Sequence, residues 1–135
     1  MKNRIVFFTF SLLFVLGSCS ETTINDAEKA FEHWIGTNSP NTEVNVIHGR
    51  YWKSGHFFLE FEAMFKMTAS SVWINQLIDF NKLTPFKKNA DYINNNSFPS
   101  WFTPNQDYKI YSNENELYLW TKQGSDTIYI YNLQL

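Results

Sequence analysis

The sequence predicts an α+β fold: an antiparallel sheet of about five strands with two helices packed on one face. Three observations lead there. Two segments carry apolar residues at helical spacing. Residues 56–68 alternate apolar and polar side chains, as a strand with one buried face does. Three short segments rich in β-formers follow near the C-terminus, separated by turn residues. The order is α-β-β-α-β-β-β. A chain of 135 residues allows one domain, 44% of it is hydrophobic, and no internal repeat is present.

The first helix spans residues 26–35. Ala27, Ala30, Phe31, Trp34 and Ile35 form one apolar stripe. Asn25, with Glu28 three residues later, reads as a variant capping box. Gly36 is a natural stop. Residues 37–43 are loop by composition. Residues 44–53 and 56–68 then read as two strands around Ser54-Gly55. The second helix spans residues 70–81, capped by Ser70 or Ser71, with Trp73, Ile74, Leu77, Ile78 and Phe80 as its apolar face. Residues 84–106 hold three prolines and read as one long loop. Strands near 107–112, 116–122 and 126–133 complete the sheet.

The hairpin register decides where the charges go. A two-residue turn at Ser54-Gly55 would place His48 and Arg50 in the apolar face, which is costly without partners. A type I turn over residues 52–55 followed by a bulge keeps both cations off the core. Trp52 then pairs with His56, His48 with Glu60, and Val46 with Glu62. Tyr51 and Ile47 join Phe57, Leu59 and Phe61 inside. His48, Arg50, Glu60 and Glu62 share the other face, with His56 at its edge. A carboxylate beside His48 would raise the imidazole pKa, and Arg50 would lower that of Glu60. Such a face suits binding, a His–Glu pair for proton transfer, or a weak His/Glu metal site. The plainer reading is the solvated side of a sheet. A second candidate is Trp101-Phe102, set between Pro99 and Pro104. It would anchor a protein partner, stack on a sugar ring, or plug the core. Tyr51, Trp52, Tyr118, Trp120, Tyr129 and Tyr131 exceed what so small a core holds, so part of them is expected at the surface.

The N-terminus reads as an address. Lys2 and Arg4 precede 12 largely apolar residues, 5–16. That run is shorter than the roughly 20 residues a bilayer span requires, and it fits the h-region of a secretory signal. It ends in Leu16-Gly17-Ser18-Cys19, which resembles a bacterial lipobox. The resemblance implies a signal peptide over 1–18, cleavage before Cys19, lipid on its thiol and often acylation of its amino group. Residues 19–25 would be a lipidated tether and 26–135 the domain. Several acyl chains hold a protein on a membrane where one chain binds marginally. Cys19 is the sole Cys, so the lipid would leave no thiol for redox or metal chemistry. The mature part also resembles the small, Asn- and aromatic-rich lipoproteins common in Bacteroidota, through His48-Gly49-Arg50-Tyr51-Trp52 and Pro99-Ser100-Trp101-Phe102. That likeness carries no activity.

These observations point to a lipid-anchored protein of the cell envelope, on the inner or outer membrane and facing periplasm or exterior. Its domain would bind a protein partner, in one form as an immunity-type inhibitor of a delivered toxin. With 9 basic against 13 acidic residues after cleavage, nothing draws it to nucleic acid. No nucleophile elbow, HExxH, P-loop or dinucleotide fingerprint occurs, which favours a non-enzymatic domain without cofactor or metal. The alternative is a small-ligand or glycan binder, or an enzyme, using His48, Arg50 and Glu60 with Trp101.

Overall fold

The computed structural model describes residues 20–36, 43–55, 60–86 and 98–135. The protein is α+β. Its strands are β1 (Thr22–Ile24), β2 (Val44–Lys53), β3 (Phe61–Ala69), β4 (Thr84–Pro85), β5 (Lys109–Ser112), β6 (Leu117–Thr121) and β7 (Thr127–Gln134). Helix α1 (Ala27–Ile35) precedes β2, and α2 (Ser71–Asn81) follows β3. All described pairs are antiparallel, in the order β1-β2-β3-β7-β6-β5-β4. Among the described residues the sheet thus has seven strands, not about five. The two additional ones are the short edge strands. β1 lies in the span read as a tether, and β4 in the span read as loop. Short edges limit strand-to-strand association, and an edge tolerates Pro85 because its missing N–H is not needed by a ladder.

Local chemistry sets the helix ends. Asp26, not Asn25, caps α1: its side chain accepts from the Lys29 N–H at 2.9 Å. Ile24 is still paired with Tyr51 in the sheet, so Asn25 serves as the link between strand and helix. Gly36 ends α1 at φ 71°, a left-handed conformation that glycine adopts at little cost. Ser70 caps α2, accepting from the Trp73 N–H at 3.1 Å. Phe80 does not join the apolar stripe of α2; it is 88% exposed. At 3.6 residues per turn it sits roughly 100° from the centre of the stripe formed by Ile74, Leu77 and Ile78.

The hairpin pairs further along than the type I turn requires. Tyr51 lies opposite Ala63, Arg50 opposite Met64 and His48 opposite Lys66. The Ser54 N–H donates to the Glu60 carbonyl at 2.9 Å, closing a connection longer than a four-residue turn. From His48 to Lys53 the slide moves each residue past an even number of partners. Those side chains therefore keep the face that alternation gave them, while their neighbours change. A bulge between Val46 and His48 alters one detail: Val46 packs against the core, and Ile47 is 42% exposed.

The sheet has a hydrophobic layer on each side. On one face, Ala63, Phe65 and Met67 of β3 meet Ile128 and Ile130 of β7 and Leu119 of β6. Ala30 and Phe31 of α1 belong to this cluster, and Trp73, Ile74, Leu77 and Ile78 of α2 pack against it half-buried. Phe31 meets Phe65 edge-on at 5.6 Å. On the other face, Met64, Trp120, Tyr129 and Tyr131 are buried under Phe102. This second core takes in Trp120, Tyr129 and Tyr131, while Trp52 and Tyr118 stay half-buried, as expected of some of these aromatics. Tyr129 and Tyr131, like Tyr118 and Trp120, point away from the helices, where Phe98, Trp101 and Phe102 cover them.

Candidate functional site

The second face continues past its aromatic core to the strands β2 and β3. Alternation along β2 presents His48, Arg50 and Trp52 there, and β3 presents Glu62, Met64 and Lys66. The roof segment brings Trp101 to the same place. Its ring stacks on His48 with centroids 5.4 Å apart and planes 16° from parallel. His48 is exposed and Trp101 half-buried. Trp101 also meets Phe102 at 5.9 Å, so the fully buried neighbour fixes where the half-buried one stands.

Three basic side chains edge this aromatic surface. Lys66 lies directly opposite His48, and its ammonium sits 5.7 Å from the centre of the Tyr129 ring, over the ring's negative face. Arg50, half-buried, lies two residues from His48 on the same side of β2. Trp52 lies opposite Glu62, and its indole N–H donates to the Glu21 carboxylate just before β1.

The Glu62 carboxylate is engaged by the core. It accepts from the Tyr131 hydroxyl at 3.3 Å. Burial pushes the Tyr131 phenol well above its ordinary range, and the charge and hydrogen bond of Glu62 push it further. Burial also raises Tyr51 on the opposite face. The Tyr131 phenol therefore stays neutral in the folded state where an unfolded phenol, near 10, ionises. Below that pH the two states bind equal numbers of protons there. Above it the unfolded chain binds fewer, so stability falls as pH rises, by up to about 1.4 kcal/mol per unit for Tyr131. Urea unfolding between pH 8 and 11 should show this decline, and Tyr131→Phe should make it shallower. An unchanged slope in the variant would assign the alkaline loss to other groups.

Of the residues singled out from sequence, His48, Arg50, Glu62 and Trp101 come to one side of the sheet. Glu60 does not pair with His48. It precedes β3, and six residues separate it from Lys66, the actual partner of His48, a strand distance of roughly 20 Å. The proposed His–Glu proton-transfer pair is therefore not formed. Phe102 is 4% exposed and belongs to the core. His56 and Cys19 lie outside the described residues. Among the described residues, no three His, Cys, Asp or Glu side chains gather to hold a metal ion, and no helix is long and apolar enough to cross a membrane.

Three depressions lie apart from this face. A cleft of about 540 Å³ opens at one end of the sheet, lined by Phe61, Asn81, Glu114, Glu116, Asn132 and Gln134 among others. A second depression adjoins it across the turn after β5, and a third lies along α2 at Trp73 and Phe80. None of these three includes His48, Glu60 or Trp101. Asn113 builds the first cleft's rim. Its side-chain Oδ1 accepts from the N–H groups of Asn115 and Leu117, and its Nδ2 donates to the Asn81 carbonyl at 3.0 Å.

No family model matches this chain, and no curated protein or solved structure matches it. What it does must be argued from its own side chains. Sequence reasoning missed Lys66 as the partner of His48 and Glu21 as the partner of Trp52. Each was hidden by the register, which alone determines what stands opposite what. For β1 a signal existed: Thr22, Thr23 and Ile24 are all β-branched.

Proposed function

We propose that this protein is an envelope lipoprotein, held on a membrane by lipid on Cys19, whose domain binds a protein partner through the His48–Trp101 face. The observation that carries the binding reading is the stack itself: an exposed imidazole on a half-buried indole. An aromatic pair with basic side chains at its edge suits an opposing protein surface. Trp, Tyr and Arg are the residue types that dominate protein interfaces. Arg50 and Lys66 favour an acidic partner. The chain's net negative charge argues the other way, but beyond about 8 Å it is screened at physiological salt, so the local cations decide. An inhibitor of a delivered toxin, of the immunity type, is one specific form of this function.

The anchor reading draws support from Leu16-Gly17-Ser18-Cys19. Cys19→Ser should move the protein from the membrane fraction to the soluble one, with the lipid mass absent. The binding face is tested by placing a photoreactive residue at position 48, or at Gln76 on α2, and irradiating intact cells. Adducts are expected from position 48 alone. Trp101→Ala should reduce them, in line with a loss of about 2 kcal/mol of binding, roughly 30-fold. Equal adducts from both positions, or none from position 48, would overturn the assignment.

One observation favours a second reading, a small-ligand or glycan binder. The end cleft joins amides and carboxylates to the ring of Phe61, groups that pair with hydroxyls and with the apolar face of a sugar. Calorimetric titration with soluble oligosaccharides tests it: saturable heat that Gln134→Ala abolishes would move the function to this cleft.

A further inference from the structure

The chain joins the sheet almost at once after Cys19. Thr22, three residues on, lies opposite Lys53 in the β1–β2 ladder. Glu21, between them, accepts from the Trp52 indole. Three residues span at most about 10 Å. β1 runs antiparallel to β2, so the chain enters at the end of the sheet that also holds Lys53, Phe61, Gln134 and the turn from Asn113 to Glu116. The opposite end carries Val44, Ala69 and the turn from Lys122 to Ser125. Along the nine residues of β3 the two ends stand roughly 30 Å apart.

We infer that the anchor holds this domain in one orientation, with the Thr22–Lys53 end against the lipid headgroups and the Lys122–Ser125 end directed outward. The inference rests on the lipid at Cys19 proposed above. A tether this short, pinned at Glu21 and Thr22, lacks the length to let the far end reach the bilayer. Among the described residues, Glu21, Glu60, Glu114 and Glu116 lie at the near end against Lys53 and Lys82, so acidic side chains outnumber basic ones there and the acyl chains and the short link set the distance. His48 is five residues from Lys53 along β2, roughly 16 Å farther out. The proposed binding face thus stands clear of the headgroups, and the amide- and carboxylate-lined cleft opens toward them.

The test uses the full chain isolated from membranes, its lipid verified by intact mass, in phosphatidylcholine vesicles carrying a headgroup spin-labelled lipid. Glu114→Cys and Gln123→Cys, both at exposed turn positions, carry the same fluorophore in separate preparations. Quenching should be several-fold stronger at position 114 than at 123. Eight Gly/Ser residues inserted between Ser20 and Glu21 add roughly 16 Å of flexible chain and should bring the two close to equal. Equal or reversed quenching in the uninserted, lipid-bearing protein overturns the orientation while leaving the anchor intact. An asymmetry that survives the insertion overturns the tether argument. A protein without lipid mass overturns the anchor itself, and the orientation with it.

Discussion

Phe102→Ala is expected to lower the unfolding free energy by about 3–5 kcal/mol, the usual cost of deleting a buried aromatic ring. Phe102 is 4% exposed and forms the centre of the second core. It meets Trp120 and Tyr129 edge-on, each at 5.4 Å, and Phe98 at 4.8 Å. Each such pair contributes about 0.5–1.5 kcal/mol beyond area burial. Phe98, Trp120 and Tyr129 enclose the ring, so the cavity cost should be near full. The consequence reaches the site, because Trp101 is held beside Phe102 and His48 stacks on Trp101. Urea unfolding and crosslinking from position 48 should therefore both decline in Phe102→Ala. Trp101→Ala should lose crosslinking with a smaller loss of stability. If Phe102→Ala unfolds at the wild-type urea concentration, the second core does not support the fold.

Gly49→Val should cost about 3 kcal/mol or more, and Gly49→Ala about 1–3 kcal/mol, as overpacking does. A Cβ at position 49 would stand 2.9 Å from the Ala27 carbonyl oxygen and 3.1 Å from its Cα, with the Phe65 ring at 3.0 Å. Two of these three atoms are backbone at the first residue of α1, so the contact is relieved only by moving the helix. Restricting the unfolded chain returns about 0.4–1 kcal/mol for alanine, less than the clash takes. Displacing α1 should also weaken the 2.9 Å bond from the Trp34 indole to Asn132 on β7. Near-ultraviolet circular dichroism, read together with urea unfolding, checks both effects. A valine variant of wild-type stability would mean that α1 does not sit against β2 as described.

Gly49 shows why part of this fold could not be read along the chain. Inside an alternating strand it marks a missing side chain, yet nothing nearby in sequence says that Ala27, twenty-two residues earlier, takes the space. The same holds for Trp101 and Phe102. Their composition allowed a surface anchor or a core plug. The structure divides the roles between them, burying Phe102 and leaving Trp101 half-covered. His48 and Glu60 show the limit most plainly, since the right face was assigned with the wrong partner.

By itself the sequence determined what neighbouring residues encode. It set the two helices, a serine cap at 70 or 71, the stop at Gly36, the three C-terminal strands, and the face on which Phe65, His48 and Arg50 lie. These follow from periods of 3.6 and 2 and from side chains that reach three residues ahead. Tertiary structure decided the rest: the slide of β2 along β3, the bulge before His48, the edge strands β1 and β4, and the roof over Tyr129 and Tyr131. A pattern of period 2 is unchanged by a shift of two residues. Only the packing of distant segments selects one register, and with it the neighbours of every charge on the sheet.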